Sequence, residues 1–218
     1  MKIAVLLAGS GVFDGSEIYE TTLTLLALDR ADVRYQCMAP NIAQAHVINH
    51  ITGEPMPGEK RNVLVEAARL ARGEIIDLSV ADASDYDALI VPGGFGVAKN
   101  LCDFAFQGAD MQINAEVRDF ARAMHRAGKP VGLICIAPTM APQLFGEGVA
   151  CTIGSNEDVA AAIDSMGGKH VPCPVDECVV DEQRKVVTTP AYMEAGRLRE
   201  AAVGIEKLVA NILSMATN

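Results

Sequence analysis

The sequence predicts an α/β fold in which helices cover both faces of a mainly parallel sheet. Three features carry that expectation. Short apolar runs at residues 3–7, 88–91 and 131–134 lack polar alternation, as strands buried on both faces do. Segments with helical spacing lie between them, long enough for right-handed crossovers. Turn-forming stretches follow the runs directly, so their loops should gather at the carboxyl edge of the sheet, where ligands bind in such folds.

Taken from the N-terminus, residues 3–7 form the first strand, and Ala8-Gly-Ser-Gly-Val-Phe-Asp14-Gly15 is the loop after it. A helix then runs to about Arg30, with Asp14 as N-cap and Glu17 at N3 in a capping box. Residues 33–39 give a second strand, closed by Pro40-Asn41. Helices over 43–50 and 62–72, with an irregular stretch over 52–58 between them, read as a helical cap inserted at about 41–73. In the second of these, Val63, Ala67, Leu70 and Ala71 share a face. The strand at 88–91 breaks at Pro92-Gly-Gly-Phe-Gly96. A helix over 113–127 stops at Gly128-Lys129-Pro130, before the strand at 131–134. A helix over 138–144, a strand near 149–153, a helix over 157–166, a hairpin over 178–189 and a last helix over about 194–215 complete one domain of 218 residues.

Half of the chain is hydrophobic, enough for a sizeable core. Its formal charge of -10, from 18 basic and 28 acidic residues, argues against a nucleic-acid footprint or attraction to an anionic membrane. No run approaches the ~20 apolar residues of a membrane span. Small molecules or other proteins are the expected partners. Six cysteines scattered through apolar segments do not resemble a secreted disulfide framework, so a reducing cytoplasm is expected. The first residues are too short an apolar stretch for a signal peptide.

Cys135 stands where the strand at 131–134 gives way to a helix with Pro138 in its first turn. Such a nucleophile elbow lifts one side chain out of the sheet edge, beside the unpaired N–H groups of the helix. A thiol there is a candidate nucleophile whose pKa should fall below about 8.5. Glu20 lies one helical turn beyond Glu17 and near the same edge, placed as a general acid/base or, equally, as a solvated surface glutamate. Pro92-Gly-Gly-Phe-Gly96 lets backbone approach a ligand, and its N–H groups suit an oxyanion. Neither a P-loop nor a dinucleotide fingerprint is present. Of His46, His50, His125 and His170, none directly follows Cys135, which disfavours a Cys-His-Asp hydrolase; His50 is the one that the cap could bring to the site. Cys173 and Cys178, with one neighbouring histidine, lack zinc spacing, so no metal centre is expected.

The elements Val91-Pro-Gly-Gly-Phe-Gly96, Ile134-Cys-Ile-Ala-Pro138 and a first-helix Glu20 resemble the DJ-1/PfpI superfamily, related to class I glutamine amidotransferases. Longer stretches, among them Gly11-Val-Phe-Asp-Gly-Ser-Glu-Ile18, His46-Val-Ile-Asn-His50 and Thr188-Thr-Pro-Ala-Tyr-Met193, resemble its ElbB branch. The resemblance implies a flavodoxin-like three-layer α/β/α sandwich, usually a homodimer, and cofactor-free glyoxalase chemistry: glyoxal to glycolate, methylglyoxal to lactate, or removal of early glyoxal adducts. By position it puts the reactive cysteine on Cys135, its acidic partner on Glu20 and the oxyanion donors on the backbone of Gly93, Gly94 and Ile136, with Glu17 and His50 as further substrate-binding candidates. Where many members carry a histidine, this chain has Thr152-Ile-Gly154. A redox-sensing thiol protein, oxidised at Cys135, is the alternative reading; an amidase-like hydrolase is another, weakened by the missing histidine.

Overall fold

The computed structural model describes residues 1–217. Its strands are β1 (Lys2–Leu6), β2 (Arg34–Ala39), β3 (Ile75–Asp77), β4 (Ala88–Val91), β5 (Val131–Ile134), β6 (Ala150–Cys151), β7 (Lys169–His170), β8 (Val179–Asp181) and β9 (Val186–Thr189). Its α-helices are α1 (Ile18–Arg30), α2 (Val63–Leu70), α3 (Phe104–Gln107), α4 (Ala115–Arg126), α5 (Ala141–Phe145), α6 (Glu157–Ser165) and α7 (Leu198–Ala216). Seven strands form one sheet in the order β3-β2-β1-β4-β5-β9-β8, parallel except for β8. Without the edge strands β3 and β8, the order is the 2-1-3-4-5 of flavodoxin-like folds. β6 and β7 pair separately.

The apolar runs become strands because both faces are covered. Every residue of β4, β5 and β9 is buried, and so is β1 after Lys2. α1 packs against α7 and α2 on one side of the sheet, and α4 against α5 on the other. In α4 the stripe Val117, Phe120, Ala121 and Met124 faces inward at helical spacing. No described helix is long and apolar enough to cross a membrane. β1 and β4 are neighbours whose crossovers leave in opposite directions, so their loops diverge and open a crevice at the carboxyl edge.

Two expectations fail here for local reasons. Residues 43–50 are not helical; residues 41–62 form a loop pinned by bridges between Ala43 and Asn62 and between Ile48 and Pro55. Side chains elsewhere take the backbone donors that a helix would have used: Asp14 accepts the Ile48 N–H at 2.7 Å and Asn100 accepts that of Ala45 at 2.9 Å. The expected cap at 41–73 therefore shrinks to this loop. α2 instead forms the crossover into β3, a strand of three residues too short to show a pattern in sequence.

The capping of α1 also differs. Its N-cap is Glu17, whose carboxylate accepts the Glu20 N–H at 2.6 Å, because Asp14 is engaged with the 41–62 loop.

α7 reaches the sheet at Gly204, where a Cβ would stand 2.5 Å from both Thr189 Oγ1 and the Val175 carbonyl oxygen. Replacing a helix-interior glycine by alanine ordinarily stabilises by up to ~1 kcal/mol. Here overpacking reverses the sign: Gly204→Ala should destabilise by about 1–3 kcal/mol, read as a lower urea midpoint at unchanged slope.

Candidate functional site

β5 ends at Ile134, and the next residue leaves the sheet. Cys135 has φ 63°, a left-handed conformation that costs a non-glycine residue about 1–3 kcal/mol. Its N–H donates to the Thr189 carbonyl of β9 at 3.0 Å, which continues the β5–β9 ladder and fixes the turn. Ile136 follows, then a 3₁₀ turn over Ala137–Met140 that carries Pro138 near its start and runs into α5.

Beside Cys135 lies Glu20 from α1, with no solvent exposure. Its Oε2 accepts the Gly93 N–H at 2.8 Å and its Oε1 accepts the Tyr192 N–H at 3.1 Å. One carboxyl group thus joins α1 to the loops after β4 and β9. Gly93 sits where a Cβ would run into Cys135 Cβ and Glu20 Oε2, so no larger residue fits against the Cys135–Glu20 pair. The loops after β1 and β4 are laced by Glu17 N–H to Gly93 O at 2.9 Å, Phe95 N–H to Val12 O at 2.8 Å and Gly96 N–H to Gly15 O at 2.9 Å.

Electrostatics follows from burial. Desolvation pushes the Glu20 carboxyl up to about 7; the neighbouring Glu17 charge adds to this, while hydrogen bonds from Tyr192, Cys135 and Gly93 oppose it. Burial likewise raises Glu17. The Cys135 thiol is held well above its ordinary range, first by burial and then by the Glu20 charge, against the pull of the Gly94 and Ile136 N–H groups. The lowered thiol pKa expected from a helix start is overturned. The turn after Cys135 is a four-residue 3₁₀ segment, and two backbone donors do not outweigh a dry site with a carboxylate beside it.

A cavity of about 270 Å³ opens over the sulfur. Val12, Phe95, Ala98, Phe104, Val159 and Met193 form apolar walls, while Glu17, Cys135, Asn156 and Tyr192 supply the polar atoms. Gly94 and Ile136 also border it, whereas Glu20 lies behind Cys135 and does not.

His50 is not among the lining residues: its Nε2 accepts the Phe13 N–H at 3.2 Å, lies 3.8 Å from Asp14 Oδ1, and its ring leans on Phe13, so it braces the loop after β1. His46 packs on Phe106, His125 on Phe145, and His170 stands 3.4 Å from the Ile153 N–H. No histidine lines the cavity, and no group of three metal-ligating side chains occurs among the described residues. Tyr192 escaped the sequence reading because its contribution to Glu20 is a backbone donor, which leaves no signature in residue type. The available signal was positional, since it follows the last parallel strand at the carboxyl edge.

The DJ-1/PfpI family model matches residues 1–200. The human glutamine amidotransferase-like class 1 domain-containing protein 3, mitochondrial, is 44% identical over 223 residues, covering 98% of this chain and 83% of its own length. The crystal structure of an isoprenoid biosynthesis protein with an amidotransferase-like domain from Ehrlichia chaffeensis has a TM-score of 0.92 and 39% identity, with 99% of each chain covered. In fold alone, glyoxalase III from Candida albicans is similar, with a TM-score of 0.61 and 14% identity over 99% of this chain and 97% of that one. The human relative, like those from rat and zebrafish, is named a mitochondrial protein, which overturns the cytoplasmic placement expected from the cysteines.

Glu20 also links pH to stability. Its folded value of about 7 lies above the ordinary 4.5, so the fold favours the protonated form. Below pH 4.5 the group is neutral folded or unfolded; between 4.5 and 7 stability falls as pH rises; above 7 the full penalty of about 3 kcal/mol applies. Glu20→Gln cannot titrate. Its stability relative to wild type should improve by about 2–3 kcal/mol between pH 4.5 and pH 8 in urea unfolding.

Proposed function

The chain belongs to the DJ-1/PfpI family, and on that premise we propose that it is a cofactor-independent glyoxalase converting glyoxal, and methylglyoxal in the same way, to the 2-hydroxy acid. The observation that carries the reading is a cysteine in left-handed conformation on a cavity floor, backed by a fully buried carboxyl group with a pKa of about 7. A fold shared with a protein named glyoxalase III supports it.

The chemistry follows from the proton positions. Near neutrality the Cys135 sulfur carries its proton and Glu20 is partly ionised, so Glu20 takes that proton as the sulfur attacks one aldehyde carbon. The resulting oxyanion is held by the Gly94 and Ile136 N–H groups and receives the proton from Glu20, giving a hemithioacetal. Glu20, again a carboxylate, stands within hydrogen-bond reach of the sulfur from behind the cavity and so reaches the carbon now bonded to it; it removes hydrogen from that carbon as a proton and returns it to the neighbouring carbon, while the hydroxyl proton passes from the first oxygen to the second. That internal redox step turns the hemithioacetal into a thioester of the hydroxy acid. Water hydrolyses the thioester, releasing glycolate and restoring the thiol. Glu17 keeps the Glu20 N–H occupied and so fixes the first turn from which the base projects.

Redox sensing is the weaker reading. Peroxide reacts with thiolate, and burial beside a carboxylate holds Cys135 as the thiol.

Glycolate formation from glyoxal in amine- and thiol-free buffer tests the assignment. Cys135→Ala should abolish turnover, and Glu20→Gln should lower kcat/KM by about 10²–10⁴-fold, since a proton-transfer group is lost. Retained turnover in Glu20→Gln would refute the role of this residue. Because the carboxylate form is required, wild-type kcat/KM should rise with pH through about 7.

A further inference from the structure

The cavity over Cys135 is too large and too apolar for glyoxal alone. Its 270 Å³ equals roughly nine water volumes of ~30 Å³, whereas glyoxal has the bulk of about three. Beyond the polar floor the unused space lies against Val12, Ala98, Phe104, Val159 and Met193, which come from five different segments and converge only here. No lysine, arginine or histidine lines it. The nearby ammonium of Lys99 donates to the Phe13 carbonyl at 2.8 Å and stands over the Phe95 ring without itself lining the cavity, and Glu17 is the one charged side chain on the wall. An anionic substrate would meet a carboxyl group and no counter-charge, while an apolar group would displace water from an apolar wall.

We propose that this site is built for an uncharged 2-oxoaldehyde bearing an apolar substituent of about the size of a phenyl ring, with the dicarbonyl end at Cys135 and the substituent against Phe104, Val159 and Met193. The inference rests on the glyoxalase reading above and narrows its substrate. A buried apolar substituent aids the reaction by fixing the dicarbonyl over the sulfur, and contacts of this kind change kcat/KM by about 10-fold or more.

The experiment compares wild-type kcat/KM for glyoxal, phenylglyoxal and 4-carboxyphenylglyoxal, each corrected for its reaction with a small thiol. Phenylglyoxal should exceed glyoxal by at least about 10-fold, and the carboxylate should cancel that gain. Val159→Phe, which narrows the cavity, and Ala105→Phe at its exposed rim should each lower the phenylglyoxal-to-glyoxal ratio by about 10-fold. Equal or poorer use of phenylglyoxal overturns the inference while leaving the glyoxalase assignment standing. If no aldehyde is turned over, the glyoxalase assignment fails and the cavity is judged by alkylation of Cys135, read by intact mass. Faster modification by N-benzyl-iodoacetamide than by iodoacetamide, relative to free cysteine, then sustains an apolar-ligand site, and equal rates overturn it.

Discussion

A carboxyl group with no exposure to water is the constraint on which this site depends. Glu20 has its solvation replaced by two backbone N–H groups, from Gly93 and Tyr192, and each belongs to a different strand loop. Those bonds hold its pKa at about 7, where desolvation alone would push it higher still. They also bring three separate parts of the chain together, because a buried carboxylate short of a donor is costly. Gly93 follows from the same requirement: Cys135 Cβ and the Glu20 carboxylate already occupy the space a side chain there would fill.

Around that floor a second layer removes freedom. Asn100 donates to the carbonyls of Ala8 and Asp14 and accepts from Ala45, so one buried amide ties the turn after β4 to the loop after β1 and to the 41–62 loop. Asp14 binds that loop again through Ile48. The buried hydroxyl of Ser16 accepts the Ala8 N–H at 2.8 Å and closes the first loop on itself. A network with its members satisfied is stiff, and a stiff surround holds Cys135 and Glu20 in a fixed relation.

Much of this was legible in the sequence, for identifiable reasons. Strands buried on both faces announce themselves as unbroken apolar runs, so β1, β4 and β5 stood out, and the hairpin of β8 and β9 showed through its polar turn. Cys135 and Glu20 could be singled out because a strand end and a helix start fix where side chains emerge. What could not be read depended on partners distant in sequence. Asp14 has the chemistry of an N-cap, yet a backbone donor from residue 48 captures it and Glu17 caps α1 instead. Residues 43–50 lost their helix to the same competition. The direction of the Cys135 shift was misjudged because a sequence displays the favourable N–H groups of an elbow and conceals how dry the elbow will be.

The missing histidine is intelligible in these terms. A cysteine paired with histidine forms a thiolate–imidazolium couple with no net charge, and such a couple is tolerated where water is scarce. A cysteine paired with glutamate carries one negative charge when it has given up one proton, and burial resists that charge on either partner. The resistance raises Glu20 to about 7, into the range where a carboxyl group can both take and return a proton at neutral pH, and it simultaneously favours the protonated form of Cys135. In the proposed reaction, the charge moves to an oxygen that faces backbone donors as the sulfur attacks, and the desolvation penalty on sulfur is relieved within the same step. On the glyoxalase reading proposed above, the burial that weakens the nucleophile at rest also favours a carbonyl as its target over peroxide.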